Sequence, residues 1–169
     1  MSIQQSRTPG SVGGGRKTVY ATTLTETSTI DKEGVGTIRQ EGAKFYRWCK
    51  YDNGTANITA LAGHVVAYKA GHANFTNAVV TPDVSDTDGV CAGVLMSAPA
   101  DAEYCWVQTR GLSGILALDV TAGALGNAMT IIGAGDGRLD VSALVTDYIA
   151  GVLVDTTASA QKVVLSCPG

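Results

Sequence analysis

Glycine punctuates this chain: 21 of its 169 residues are Gly, only four are Pro, and the runs between are heavy in Val, Thr and Ala. Gly accepts the backbone of tight turns, and β-branched residues suit a pleated strand. Together they describe short strands joined by turns, and not long helices. The fold expected is mainly β, a compact β-barrel or β-sandwich carrying an extended N-terminal arm.

The chain divides by composition. Residues 1–17 (MSIQQSRTPGSVGGGRK) hold almost no apolar bulk, so alone they cannot offset the entropy of becoming ordered, and they read as a flexible arm. Residues 18–169 read as one β-rich domain, since a chain of this length buries enough surface for a single core without staples. Within it, 18–54 comprise an extended segment and an aromatic hairpin, and 55–169 the barrel or sandwich. Residues 18–29 are β-branched with little core face, a segment that pairs only with a neighbour. In 38–51 a turn at Glu41-Gly42 joins two strands, the alternation of Phe45, Arg47, Cys49 and Tyr51 against Tyr46, Trp48 and Lys50 follows, and Asp52-Asn53-Gly54 closes the hairpin. Further strands are expected at 58–69, 78–80, 90–96, 104–109 and 162–166. An internal repeat is suggested by Ala92-Gly93-Val94-Leu95 recurring as Ala150-Gly151-Val152-Leu153. Ala102 then matches Ala160, and Gly63-His64-Val65-Val66 corresponds upstream to Gly126-Asn127-Ala128-Met129.

Charge and hydropathy remove several function classes. Charged residues make up 16% against a hydrophobic 45%, so much of the surface is neutral and suited to contact. The net charge of −3 disfavours nucleic acid, which needs basic faces to release counterions. The balance is uneven: Arg7, Arg16 and Lys17 stand in an arm without acids, leaving nine basic and fifteen acidic residues beyond it. No apolar run reaches the roughly 18 residues of a membrane span, and the N-terminus lacks the regions of a secretory signal, so a protein made and kept in a cytoplasm is expected.

No catalytic or metal pattern assembles. An EF-hand loop at Asp83, Asp86 and Asp88 fails because Val84 and Leu95 hold the decisive first and last places, leaving a solvated loop. Gly133-Ala134-Gly135-Asp136-Gly137 lacks the Lys-Ser/Thr of a phosphate loop and reads as a hairpin turn. His64 and His72 have no ligand-forming neighbours at metal spacing, no Ser occupies a nucleophile elbow, and Asn53, Asn57 and Asn74 read as turn residues. Cys49, Cys91, Cys105 and Cys167 form no CxxC and read as buried free thiols, with disulfides the alternative. The expectation is therefore a non-enzyme without cofactor or metal. Phe45, Tyr46, Trp48 and Tyr51 place rings on both faces of one hairpin, more than one core layer uses, so one face is read as meeting a partner.

In rhythm, the Gly-rich arm followed by GTIRQEGAKFYRWCKYDNG, GHVVAYKAG and GVCAGVLMSAPADAEYCWVQTRG resembles the small head-decoration, or cement, proteins of tailed phages, over most of residues 20–169. The resemblance implies a structural virion protein on the capsid exterior, made in the host bacterial cytoplasm. It also implies a homo-oligomer, a trimer by preference, that clamps neighbouring major capsid protein subunits. The contacts would fall to the arm through Ile3, Arg7, Val12, Arg16 and Lys17, and to Phe45, Tyr46, Trp48 and Tyr51. The alternative is the receptor-binding head of a tail fibre or spike, an elongated glycan-binding trimer.

Overall fold

The computed structural model describes residues 19–71, 78–114, 123–157 and 161–168. The arm, and with it Ile3, Arg7, Val12, Arg16 and Lys17, lies outside the described residues, as do His72, Asn74 and Ala160. The described chain is mainly β, as expected: ten strands and one three-residue 3-10 turn, Val84–Asp86. The strands are β1 (Ile38–Glu41), β2 (Lys44–Tyr51), β3 (Val65–Lys69), β4 (Val79–Thr81), β5 (Thr87–Leu95), β6 (Tyr104–Leu112), β7 (Ala128–Thr130), β8 (Asp140–Val141), β9 (Gly151–Asp155) and β10 (Lys162–Ser166).

They form one sheet in the order β1-β2-β4-β3-β5-β6-β10-β9-β7-β8, and β2 also pairs with β6. That extra pairing closes β2, β4, β3, β5 and β6 into a five-stranded ring, while β10, β9, β7 and β8 continue outward from β6. The register between β2 and β6 slips at Phe45 and Tyr46, which pair with Arg110 and Gln108 and leave Thr109 as a bulge. Past it, β6 departs from the ring and pairs Leu112 with Val164 of β10.

Alternation along the strands sorts the apolar side chains into three clusters. Cys49 and Tyr51 of β2 join Val66, Tyr68, Val80, Leu95, Cys105 and Val107 inside the ring. The other face of β2 and β6 presents Tyr46, Trp48 and Trp106, which pack with Tyr20, Leu24, Met96 and Tyr104. On the far face of β3 and β5, Val65, Ala67, Cys91 and Val94 meet Met129, Ile131, Leu139, Leu153, Val163 and Leu165 from the second half of the chain.

The suspected repeat is visible in the backbone. Val65 and Val66 pair with Val94 and Gly93, and Ala128 and Met129 pair with Val152 and Gly151 in the same way. The Gly63 amide donates to the Leu95 carbonyl at 2.9 Å, and that of Gly126 to Leu153 at 2.8 Å. Leu95 and Leu153 in turn donate to His64 and Asn127, both at 2.9 Å. Gly93 and Gly151 are needed alike: a Cβ would lie 2.1 Å from the Gln108 carbonyl oxygen in one and 2.3 Å from that of Val164 in the other. The units are thus β4-β3-β5-β6 and β8-β7-β9-β10. Leu95 pairs with Val107 and Leu153 with Val163, so the second hairpin is two residues shorter, which a period of two absorbs without turning a side chain over.

Three sequence expectations need correction. Of 58–69 only Val65–Lys69 is strand, because Ile58 is held in a loop by the Asn53 carbonyl and the Tyr51 hydroxyl. The Asp52-Asn53-Gly54 turn ends β2 without closing a hairpin, since β2 pairs with β1, β4 and β6; the hairpin turn is Gly42-Ala43, with Gly42 at φ 58°. Of the 18–29 segment, the described residues 19–29 make one isolated bridge, Ser28 with Tyr104, and otherwise serve as a cover.

Candidate interaction surface

The aromatic residues expected to meet a partner are enclosed. Tyr46, Trp48 and Tyr51 are buried and Phe45 is half-buried. Tyr51 faces the ring interior and donates its hydroxyl to the Ile58 carbonyl at 2.9 Å, while Tyr46 and Trp48 face the opposite way. The surplus of rings is real, yet the chain spends it on a second small core. Trp48 and Trp106 meet edge-on at 5.2 Å, and Tyr20 meets Trp106 at 5.5 Å. The 20–33 segment is bound over them by polar contacts: Trp106 Nε1 donates to Thr22 Oγ1 at 2.9 Å, Trp48 Nε1 to Asp31 Oδ1 at 2.8 Å, and both the amide and hydroxyl of Thr22 to Glu33 Oε1 at 2.7 Å. The Arg39 guanidinium lies 4.8 Å from the Tyr20 ring centroid, a cation–π contact. This segment takes the place that the sequence reading gave to a partner.

Apolar side chains are exposed singly at Val19, Ile30, Ile38 and Leu61, and as a group where β6 of the first unit meets the second unit. Val152 and Val154 of β9, Val164 of β10 and Leu112 of β6 are each 41–44% accessible. Val164 is the direct partner of both Val152 and Leu112, and Ala128 of β7 pairs with Val152, so these side chains form one lateral row across four strands. Cross-strand partners on one face lie within contact reach of each other, which makes the row a patch and not scattered positions. Arg110 and Ser166, a paired and exposed couple, border it beyond Leu112 and Val164. Leu125, Leu144 and Val145 add exposed apolar side chains on loops.

The sequence carried a signal for this face. Ala150-Gly151-Val152-Leu153-Val154 and Val163-Val164-Leu165 are apolar at consecutive positions, so both faces of β9 and β10 ask for cover. Aromatic side chains drew attention to the hairpin, while the row is aliphatic and spans strands far apart in sequence.

The remaining candidate groups have structural work. Asp83 caps the 3-10 turn, accepting from the Ser85 hydroxyl at 2.6 Å and the Ala56 amide at 2.9 Å, and these bonds hold its pKa below the usual carboxylate value. Asp86 accepts from Thr55, and Lys69 Nζ binds Asp52 at 2.7 Å. Gly133–Gly137 make the turn between β7 and β8, as expected. His64 packs against Gly137, and burial, aided by Arg138, lowers its pKa. Among the described residues no group of three His, Cys, Asp or Glu side chains could hold a metal ion. The four cysteines are buried free thiols; burial pushes Cys49 up to about 12 and Cys105 well above its ordinary range. No family model, curated protein or solved structure matches this chain.

Proposed function

We propose that this chain is a head-decoration protein of a tailed phage, made in the bacterial cytoplasm and seated on the capsid exterior, where it bridges neighbouring major capsid protein subunits. The observation that carries the proposal is the aliphatic row Leu112, Val164, Val152 and Val154, whose members are joined by strand pairing into one exposed patch on the sheet. A monomer gains nothing by leaving such a row in water, and covering it contributes roughly 25 cal/mol for each Å² removed. The ring supplies a rigid base, so docking costs little ordering of the body. The sequence rhythm supplies the identity of the surface that is met, and the basic 1–17 segment adds a second, charge-guided contact against an acidic groove. Repetition of the body, as a trimer on the shell, raises avidity without strong single contacts. The role is mechanical and needs no catalytic step.

The test replaces the row's centre. A Val152→Asp, Val164→Asp protein is expected to keep the wild-type circular dichroism spectrum and to lose at least about tenfold in occupancy on undecorated particles, read by co-sedimentation. Full occupancy by this variant would remove the row from the interface and the proposal with it.

A further inference from the structure

We propose that Cys91 and Cys167 form a latent disulfide, closed by a small disulfide oxidant such as glutathione disulfide, which locks the end of the second unit onto the ring. The two sulfurs are 3.2 Å apart, with Cys167 Sγ donating to Cys91 Sγ, and both residues are fully buried. A disulfide needs about 2.05 Å, so the pair is roughly one ångström of side-chain movement from bonding distance. Cys91 lies on β5 of the ring and Cys167 one residue beyond β10, both within the cluster that joins the two halves.

Access distinguishes this pair from the other. Cys49 and Cys105 are also cross-strand partners, but both sit mid-strand inside the ring, and baring them separates β2 from β6. Cys167 stands outside the ladder. Its amide donates to the Thr109 carbonyl at 3.0 Å, its sulfur contacts the Ala150 carbonyl at 3.6 Å, and the Tyr68 hydroxyl donates to the Pro168 carbonyl at 2.9 Å; opening these contacts bares the sulfur while the strand ladders stay paired. In the closed form the Cys91 contact and burial raise the Cys167 pKa well above its ordinary range, so reaction proceeds from the open form, where the thiolate is accessible at mildly alkaline pH.

The electrons balance in two exchanges. The Cys167 thiolate attacks one sulfur of glutathione disulfide, forming a mixed disulfide and expelling one glutathione thiolate. As the segment recloses, Cys91 attacks the Cys167 sulfur and its proton passes to the departing glutathione thiolate, which leaves as the second glutathione. Two protein thiols are oxidised, and one glutathione disulfide is reduced to two glutathione molecules. A reducing cytoplasm leaves the pair open, and an oxidising exterior closes it.

The experiment incubates the full chain with glutathione disulfide, alkylates remaining thiols and maps peptides without reductant. The expected result is a Cys91–Cys167 linked peptide, a protein lighter by two hydrogen atoms, and a urea midpoint raised by an amount matching a roughly hundred- to thousandfold larger folding constant. Dithiothreitol should reverse all three. Cys167→Ser and, independently, Cys91→Ser should lack both link and gain under the same oxidation. Four alkylated cysteines after oxidation, or a link confined to Cys49 and Cys105, would overturn the proposal.

Discussion

The two four-stranded units, β4-β3-β5-β6 and β8-β7-β9-β10, share strand order, register and the hydrogen bonds that open them, yet they are covered differently. Apart from Leu112 at the end of β6, the first unit is enclosed: β2 closes its inner face into a ring, the second unit lies across the outer face of β3 and β5, and the 20–33 segment covers Trp106. The second unit has one face on the shared cluster, and on the other its aliphatic row is 41–44% accessible. Backbone pairing therefore sets the repeat, and what lies over each face sets its use. The first unit is largely covered, and the second leaves an aliphatic row in solvent.

The largest expected effect probes the enclosed side. Trp106 precedes Val107 as Lys162 precedes Val163, so the two occupy matching places, but Trp106 is fully buried against Trp48 and Tyr20. Trp106→Ala should cost about 3–5 kcal/mol in urea unfolding. Lys162→Ala should stay within about 0.5 kcal/mol. Similar losses at both sites would mean that the units are covered alike.

The matching glycines sharpen the comparison at the backbone. A Cβ collides with a carbonyl oxygen in both, but Gly93 also has φ 142°, whereas Gly151 has no left-handed backbone to protect. Both Gly93→Ala and Gly151→Ala should destabilise by about 1–3 kcal/mol through overpacking, and Gly93→Ala by a further 1–2 kcal/mol or so through backbone strain. Equal costs, measured by the same urea series, would remove the strain argument.

How far the sequence revealed this molecule depends on whether a feature is local. Gly42 between two alternating runs specified a hairpin, and the Ala-Gly-Val-Leu pair specified equivalent strands, because turns and strand periods are written in neighbouring residues. The site was not legible in this way. Tyr46 and Trp48 could be placed on one strand face, but nothing in 38–51 announces that Thr22 and Glu33 hold a cover over that face. Likewise, Leu112 joins Val164 and Val152 in one row only through the pairing of β6 with β10, which brings together residues far apart in the sequence. Asp83 shows the intermediate case: its place in a loop was readable, but the loop was expected to be solvated, and Asp83 is instead buried with a bond from the Ala56 amide.

The smallest effect comes from one matched pair, Gln108 in the first unit and Val164 in the second, which pair with the equivalent residues Val94 and Val152. Gln108 is fully buried, and its Nε2 donates to the carbonyls of Arg110 at 3.2 Å, Gly111 at 3.4 Å and Leu112 at 3.0 Å. Those bonds fasten the stretch in which β6 leaves the ring for β10. Gln108→Val removes the only donor on that side chain and should cost about 1–3 kcal/mol. The reverse exchange, Val164→Gln, puts an amide where solvent already reaches and should alter stability by less than about 0.5 kcal/mol. The contrast decides whether the row is maintained for the fold or for contact: a side chain kept apolar for folding resists a polar replacement, and one kept for contact tolerates it in the isolated protein. If Val164→Gln lowered the urea midpoint as much as Gln108→Val, Val164 would belong to the core of the body, and the open face of the second unit would have to be sought on its loops, at Leu125, Leu144 and Val145.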